Sequence, residues 1–199
     1  NARDAMPSGG KLTLETANTF TGITLLSGGT LVLSTNLALQ NSPLQLVNVA
    51  APVNLAAGIT NLVLGGLIKT GSENPITGFI TVGYNDLTSL TLNVAAGRTA
   101  SYSDIINNTT NIGSTGLKLI KTGLGWQGLT AANGFTGGLE IWNGTLAINA
   151  AFGGRIHLQV GFLLRYQLAR VGQHVINLGV VVIGIVVEEE ELFHPRSHR

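Results

Sequence analysis

The sequence predicts an all-β fold built as a stack of short strands, and three observations lead to this prediction. The chain has 27 glycines and only 11% charged residues, against about a quarter in an average globular protein. Short runs of Leu, Val, Ile and Thr alternate with Gly, Asn and Pro, and no stretch between the repeats shows helical spacing. One strand-and-turn unit also occurs twice, which favours a solenoid over a sandwich.

The composition excludes several classes of protein. At 199 residues the chain can bury one substantial core, so we expect a single domain with at most an appendage. The formal net charge is +1 and no Lys or Arg cluster occurs, so no nucleic-acid partner is expected. Cysteine is absent, which excludes disulfides and Cys-ligated zinc. The longest apolar run, residues 175–187, is too short for a transmembrane helix and favours a buried strand.

The internal repeat consists of Ala17–Leu33 and Ala132–Ile148, which align without gaps at an offset of 115 residues. Eight of the 17 aligned positions are identical, including a Phe-Thr-Gly turn and a Gly-Thr-Leu strand start. A shorter echo, Leu-Ile-Lys-Thr-Gly, occurs at Leu67–Gly71 and Leu119–Gly123. In both places we expect Lys-Thr-Gly to close a short apolar strand with a turn.

Alternation along the repeated strand predicts which side chains are buried. Successive side chains of a strand point to opposite faces. Leu31 and its equivalent Leu146 should therefore face the core, whereas Val32 and Ala147 should point outward.

These motifs resemble the autotransporter-associated β-strand repeat, in the order Lys-Thr-Gly, Asn-x-Phe-Thr-Gly and Gly-Thr-Leu-x-Leu. The resemblance is strongest over Gly116–Ala150, extends over Lys11–Ser34 and is partial between them. It implies a right-handed parallel β-helix, in which every strand pairs with the turns of chain above and below it. At roughly 20 to 25 residues per turn, residues 11–151 would form a repeat domain of about six turns.

The opening of the chain has a second resemblance, over residues 1–18, to the N box of histidine-kinase ATP-binding domains. That resemblance implies that Asn1 coordinates magnesium. A nucleotide site of this kind also needs an Asp-x-Gly-x-Gly loop, and neither Asp86 nor Asp104 begins one. Gly10–Leu14 has the register of Gly125–Leu129 in the second copy, so we expect a first strand there. Residues 1–10 would then be a lead or cap segment.

No catalytic, cofactor-binding or metal-ligating residue is predicted. Polysaccharide-cleaving β-helices need clustered carboxylates, but the three Asp residues are scattered and four of the seven Glu residues form the run 188–191. We expect that run to be a solvated edge. His194 and His198 are separated by Pro195, which disfavours a ligand-bearing helix.

A change of pattern at Phe152 predicts a different C-terminal unit. Arg155, His157 and Gln159 alternate with apolar residues, as in a half-buried strand. Because the last turn of a parallel stack exposes unpaired backbone, we expect residues 152–193 to form a β-rich cap of antiparallel strands. Residues 194–199 would be a disordered tail. This unit resembles no family, so an unrelated origin is the alternative.

The family resemblance implies a surface passenger of a bacterial autotransporter. We therefore expect a non-catalytic scaffold, extracellular or on the cell surface, that presents a rigid face for adhesion to a protein or glycan. Specificity would lie in outward side chains such as Val32, Trp142 and Asn143, with Glu140 forming an exposed strand pair beside Trp142. An export barrel does not fit after residue 151, so we expect a longer chain that carries an outer-membrane barrel. A carbohydrate-active β-helix enzyme and a remnant of an ATP-binding domain are the alternatives.

Overall fold

The computed structural model describes residues 10–47, 53–69, 80–106, 116–131, 133–148, 170–171, 173–178 and 181–185. In this part of the chain the regular structure is β-strand, apart from one turn of 3-10 helix at Tyr84–Asp86. The strands are β1 Lys11–Leu14, β2 Thr24–Leu26, β3 Thr30–Leu33, β4 Leu44–Leu46, β5 Val53–Leu55, β6 Asn61–Leu64, β7 Leu67–Ile68, β8 Ile80–Val82, β9 Ser89–Asn93, β10 Thr99–Tyr102, β11 Lys118–Thr122, β12 Trp126–Leu129, β13 Leu139–Ile141, β14 Thr145–Ile148, β15 Arg170–Val171, β16 Gln173–Leu178 and β17 Val181–Ile185.

Strands β1 to β14 stack in three parallel ladders. The first ladder has the order β1-β3-β5-β8 and the second has the order β6-β9-β11-β13. The third ladder consists of β2-β4-β7 followed by β10-β12-β14, and a parallel bridge between Lys69 and Tyr102 joins its two parts. Along the ladders from β1 to β14, paired positions lie from 19 residues apart (Lys11 and Thr30) to 33 residues apart (Lys69 and Tyr102).

From β5 to β10 the chain visits the three ladders in a cyclic order. Strands β5, β6 and β7 lie on the first, second and third ladders, and β8, β9 and β10 repeat that order. The chain returns to a ladder only after it has passed through another ladder, and a long crossover of this kind joins strands that are parallel. The all-β parallel architecture is compatible with a β-helix, as the sequence predicts.

The two copies of the repeat have the same local structure. Strands β1, β2 and β3 map onto β12, β13 and β14 with identical bounds at the offset of 115 residues. The Gly10 carbonyl accepts a hydrogen bond from Thr30 N at 2.8 Å, and the equivalent Gly125 carbonyl accepts one from Thr145 N at 3.1 Å. The second copy begins on the third ladder instead of the first. It is therefore displaced by one face around the stack, because the offset is not a whole number of turns.

The core is a single apolar cluster that runs through all three ladders. Leu31 and Leu146 are buried, whereas Val32 and Ala147 are partly exposed, so the predicted alternation is confirmed. Paired core residues such as Leu31 and Val53 lie on neighbouring turns and form apolar rows, and the removal of these rows from water is the main stabilising term.

A glycine begins the repeated strand in each copy because the corner requires a left-handed backbone. Gly29 has a φ of 70° and Gly144 has a φ of 74°, values that residues with a Cβ rarely adopt. The Gly-Thr-Leu motif thus encodes a corner followed by a strand.

The described C-terminal strands extend the third ladder. Strand β17 pairs in parallel with β14 and antiparallel with β16, which also pairs antiparallel with β15. The cap over residues 152–193 stays a prediction, since residues 152–169 and 186–193 lie outside the described part, as do the tail 194–199 and the segment 1–9.

Candidate functional site

The outer face of the second ladder carries a polar and aromatic group near the second copy of the repeat. On β13, Glu140 lies between the buried residues Leu139 and Ile141 and therefore points outward. Lys118 is on β11, the neighbouring strand of the ladder, and Trp142 follows β13 directly. We refer to these three residues as the Lys118–Glu140–Trp142 cluster.

The Glu140 carboxylate accepts hydrogen bonds from both other members of this cluster. Lys118 Nζ donates to Glu140 Oε1 at 2.8 Å, and Trp142 Nε1 donates to Glu140 Oε2 at 3.1 Å. Trp142 is 49% exposed although its indole N–H is bonded. A large aromatic surface is thus held in one orientation at the solvent boundary, which lowers the entropy that a ligand would have to overcome.

The backbone beneath the cluster is held by two stacked corners. The corner between β13 and β14 lies on the corner between β11 and β12, and Trp142 N donates to the Lys121 carbonyl at 2.9 Å. Leu124 in the lower corner is strongly exposed, and Asn143 in the upper corner is also exposed. The surface around the cluster therefore combines apolar and polar side chains on a fixed main chain.

Lys121 joins the same two corners from inside. It shares the inward face of β11 with Leu119 and is fully buried. Its ammonium donates to the Gly123 carbonyl at 2.8 Å and to the Asn143 carbonyl at 3.3 Å. Burial disfavours the charged form and lowers the pKa of Lys121 to about 8. Lys121 therefore joins two successive turns of chain by hydrogen bonds from inside the stack.

A second internal polar group lies on the third ladder. Lys69, the equivalent lysine of the other Leu-Ile-Lys-Thr-Gly segment, is buried and forms an ion pair with the buried Asp104. Burial, together with the Asp104 charge, raises the pKa of the neighbouring Tyr102 above its ordinary range. The pairing of opposite charges makes their burial tolerable in an apolar core.

Sequence reasoning missed both buried lysines, although a signal was present. In each Leu-Ile-Lys segment the lysine lies two positions after an inward leucine, so both side chains point to the same face of the strand. Two of the predicted outward residues are placed as expected: Trp142 and Asn143 are exposed and lie together at one corner. Val32 is only partly exposed on the first ladder, and the structure does not bring it into the cluster.

The described residues also bear on metal binding, membrane crossing and nucleotide binding. Within the described ranges, no three His, Asp or Glu side chains converge where they could hold a metal ion. No helix in these same ranges is long and apolar enough to cross a membrane. Asn1 lies outside the described residues, and Lys11–Leu14, which follows it, is a strand of the first ladder.

A comparison with protein families matches two segments of the chain. A family model described as the passenger-associated-transport-repeat matches residues 8–33 and 119–148. These segments contain the two copies of the internal repeat, from β1 to β3 and from β11 to β14. The predicted resemblance to an autotransporter passenger repeat is thereby confirmed. No curated protein and no solved structure matches the chain.

Proposed function

We propose that this chain, which carries two passenger-associated-transport repeats, is a non-catalytic scaffold on the bacterial surface. The scaffold presents a rigid outer face that binds a protein or glycan of another surface. Its place is extracellular, within a longer exported chain. The repeat family supports the passenger assignment, and the described side chains support the binding face.

The architecture that we propose for the scaffold is a right-handed parallel β-helix of about six turns over residues 11–151. Three parallel ladders, together with the cyclic order from β5 to β10, support it. Residues 1–10 would lead into the coil and residues 152–193 would cap it, with residues 194–199 as a disordered tail. The parallel pairing of β17 with β14 supports a cap that continues the third ladder.

The Lys118–Glu140–Trp142 cluster is the single observation that carries the binding role. An exposed Trp held by a hydrogen bond is the type of residue that dominates binding energy in interfaces. Lys118 and Glu140 add donor and acceptor groups beside it, while the ladder beneath prevents rearrangement. Both Glu140 oxygens accept hydrogen bonds from the other two members, so the cluster is organised as a recognition surface.

The test is binding of the purified chain to arrays of cell-surface glycans and to intact bacterial and host cells. Trp142→Ala should lower affinity at least tenfold, since a central Trp contributes more than about 2 kcal/mol. Glu140→Gln should have a smaller effect, because an amide oxygen can still accept from the indole. Val82→Ala, an exposed position on the first ladder, is the matched control and should bind normally.

Two outcomes would contradict this proposal. Equal binding by the parent chain and Trp142→Ala would show that the cluster is not the binding face. Release of reducing sugar from polysaccharides by the parent chain would instead support the alternative of a carbohydrate-active enzyme. Circular dichroism of each variant verifies that the fold is retained.

A further inference from the structure

The two tryptophans of the chain lie at the same corner of the stack. Trp142 follows β13 and ends the outward face of the second ladder. Trp126 begins β12 on the third ladder, one turn earlier, where it pairs with Thr145 of β14. Only Asn143 and Gly144 separate Trp142 from Thr145. The Cα atoms of the two tryptophans are therefore joined by a three-residue step and one strand spacing, which places them within about 16 Å of each other.

The indole of Trp126 lies along the outside of its own strand. Side chains two positions apart share a face of a strand, and a Cβ built on Gly128 would overlap the six-membered ring of the indole. The glycine therefore makes room for the ring. Trp126 is partly exposed, while Gly128 is buried. The sequence Trp-Gln-Gly thus fixes a second aromatic surface on the outside of the stack.

Small side chains surround the Trp126 indole on this face of the third ladder. The residues that pair with Trp126 and Gly128 on the two neighbouring strands are Thr99, Ser101, Thr145 and Ala147. All four are short and uncharged, so none of them rises above the indole. Their hydroxyl groups can both donate and accept hydrogen bonds. The indole therefore stands above a neutral surface that bears hydroxyl groups.

The corner that separates the two tryptophans is closely stacked on the corner of the preceding turn. A Cβ built on Gly144 would overlap the Gly125 carbonyl, so the main chains of the two corners are in contact. Leu124 and Asn143 are exposed there. In the adjoining Lys118–Glu140–Trp142 cluster the two charges neutralise each other. A ligand that crosses this corner meets aromatic, aliphatic and hydrogen-bonding groups without an excess of either charge.

These groups match the chemistry of a chain of uncharged sugar rings. A pyranose ring with equatorial hydroxyls has an apolar C–H face, which an exposed indole shields from water. The hydroxyls at the edge of the ring need hydrogen-bonding partners, which Thr, Ser and Asn side chains supply. A protein partner would instead need a broad surface of about 800 Å² with an apolar centre. A ridge of small residues between two indoles is too narrow for that.

We propose that an uncharged glycan chain crosses this corner, with one sugar ring on Trp142 and another on Trp126. Two separate platforms suit a repeating polymer, because its successive units present the same apolar face. The inference rests on the proposed binding role of the Lys118–Glu140–Trp142 cluster. It narrows the ligand of that cluster to a neutral glycan and adds Trp126 as a second subsite.

Intrinsic fluorescence of the full chain tests this inference, because the chain has only two tryptophans. The probes are hexasaccharides of β-linked glucose, N-acetylglucosamine and mannose, with hexagalacturonate and a heparin hexasaccharide as acidic probes. At least one neutral probe should bind with a dissociation constant below about 1 mM. Trp126→Phe leaves Trp142 as the reporter, and Trp142→Phe leaves Trp126. The emission of each remaining indole should change when the neutral probe binds.

Three further variants measure the contribution of the second subsite. Trp126→Ala should raise the dissociation constant about threefold to tenfold, the effect of losing one stacked aromatic ring. Gly128→Ala keeps the indole but displaces it, so it should raise the constant to a similar extent. Leu25→Ala is the matched control, since Leu25 is exposed on β2 of the same ladder, several turns earlier. It should bind normally. Circular dichroism verifies that each variant is folded.

Four results would overturn the inference. Binding of the acidic probes alone, with loss in Arg98→Gln, would show that the exposed cation on the turn before Trp126 selects an acidic ligand. Equal affinities of the parent chain and Trp126→Ala would exclude the second subsite. If no probe binds but Trp142→Ala abolishes attachment to cells, the proposed binding role stands and the glycan fails. Loss of glycan binding in Trp126→Ala but not in Trp142→Ala would exclude the cluster itself as the binding face.

Discussion

Phe20 and Phe135 occupy equivalent positions in the two copies of the repeat, but Phe20 is 43% exposed and Phe135 is fully buried. Both follow an Ala-Asn-x sequence and precede a Thr-Gly turn. Local sequence therefore gives the two side chains the same orientation. Their different environments arise because Phe135 has a turn of chain on both sides, whereas Phe20 lies at the end of the described stack.

This difference predicts unequal losses of stability from the same substitution. Phe135→Ala should lower the free energy of unfolding by about 3 to 4 kcal/mol, because it leaves a cavity in a packed core. Phe20→Ala should cost less than about 1.5 kcal/mol, since about half of the side chain is already in water. Urea unfolding at low protein concentration measures both. Equal losses would contradict the different burial of Phe20 and Phe135 in the described stack.

Gly22 and Gly137 form a second matched pair, and neither has a left-handed φ. Gly137→Ala should destabilise the protein by about 2 kcal/mol, because the new Cβ would overlap the Gly116 carbonyl of the preceding turn. Gly22→Ala should be neutral or stabilising by up to about 1 kcal/mol, since the unfolded chain loses freedom and no atom is displaced. Thermal unfolding of the two variants tests this, and a neutral Gly137→Ala would contradict close stacking of the turns.

The buried side chain of Lys121 predicts a pH dependence of stability. The pKa of Lys121 is lowered from 10.5 to about 8 by burial, so between these pH values the unfolded chain binds more protons than the folded chain. Stability contributed by this group should therefore rise with pH in that window, by at most about 1.4 kcal/mol per pH unit. Below pH 8 both states are protonated and the contribution is constant.

Unfolding by urea between pH 7 and pH 9.5 measures this slope. In Lys121→Met the rise should be lost, because no titrating group replaces the ammonium. Lys118→Met, which removes a partly exposed lysine of the same strand, should retain the rise. An unchanged slope in Lys121→Met would exclude Lys121 as its source. Higher pH is avoided because the raised pKa of buried Tyr102 gives the opposite dependence once tyrosines of the unfolded chain ionise.

The Lys69 and Asp104 ion pair predicts a strong coupling. Asp104→Asn should lower stability by about 3 to 5 kcal/mol, because it removes the carboxylate that compensates a buried ammonium. The double variant Lys69→Met with Asp104→Leu should recover most of that loss, since apolar residues replace both charges. Chemical unfolding of Lys69→Met, Asp104→Leu and their double variant forms a double-mutant cycle that measures the coupling. Additive losses would show that the two side chains do not interact in solution.

The sequence by itself determined the repeated strands of this protein and the orientation of their side chains. Alternation placed Leu31 and Leu146 inward, and the offset of 115 residues predicted that β1, β2 and β3 recur as β12, β13 and β14. Glu140 and Trp142 were expected on an outer face for the same reason. These features depend on two-residue periodicity and on corner glycines, which are local properties of the chain.

The tertiary structure decided which side chains contact each other across neighbouring turns of the stack. Lys118 reaches Glu140 from 22 residues earlier, and Lys69 meets Asp104 from 35 residues earlier, because one turn of the stack brings them together. The separation between paired positions varies from 19 to 33 residues, so the register between turns cannot be read from a fixed spacing. Stacking therefore determined both the outward cluster and the burial of the two lysines, since these contacts join residues on different turns of the chain.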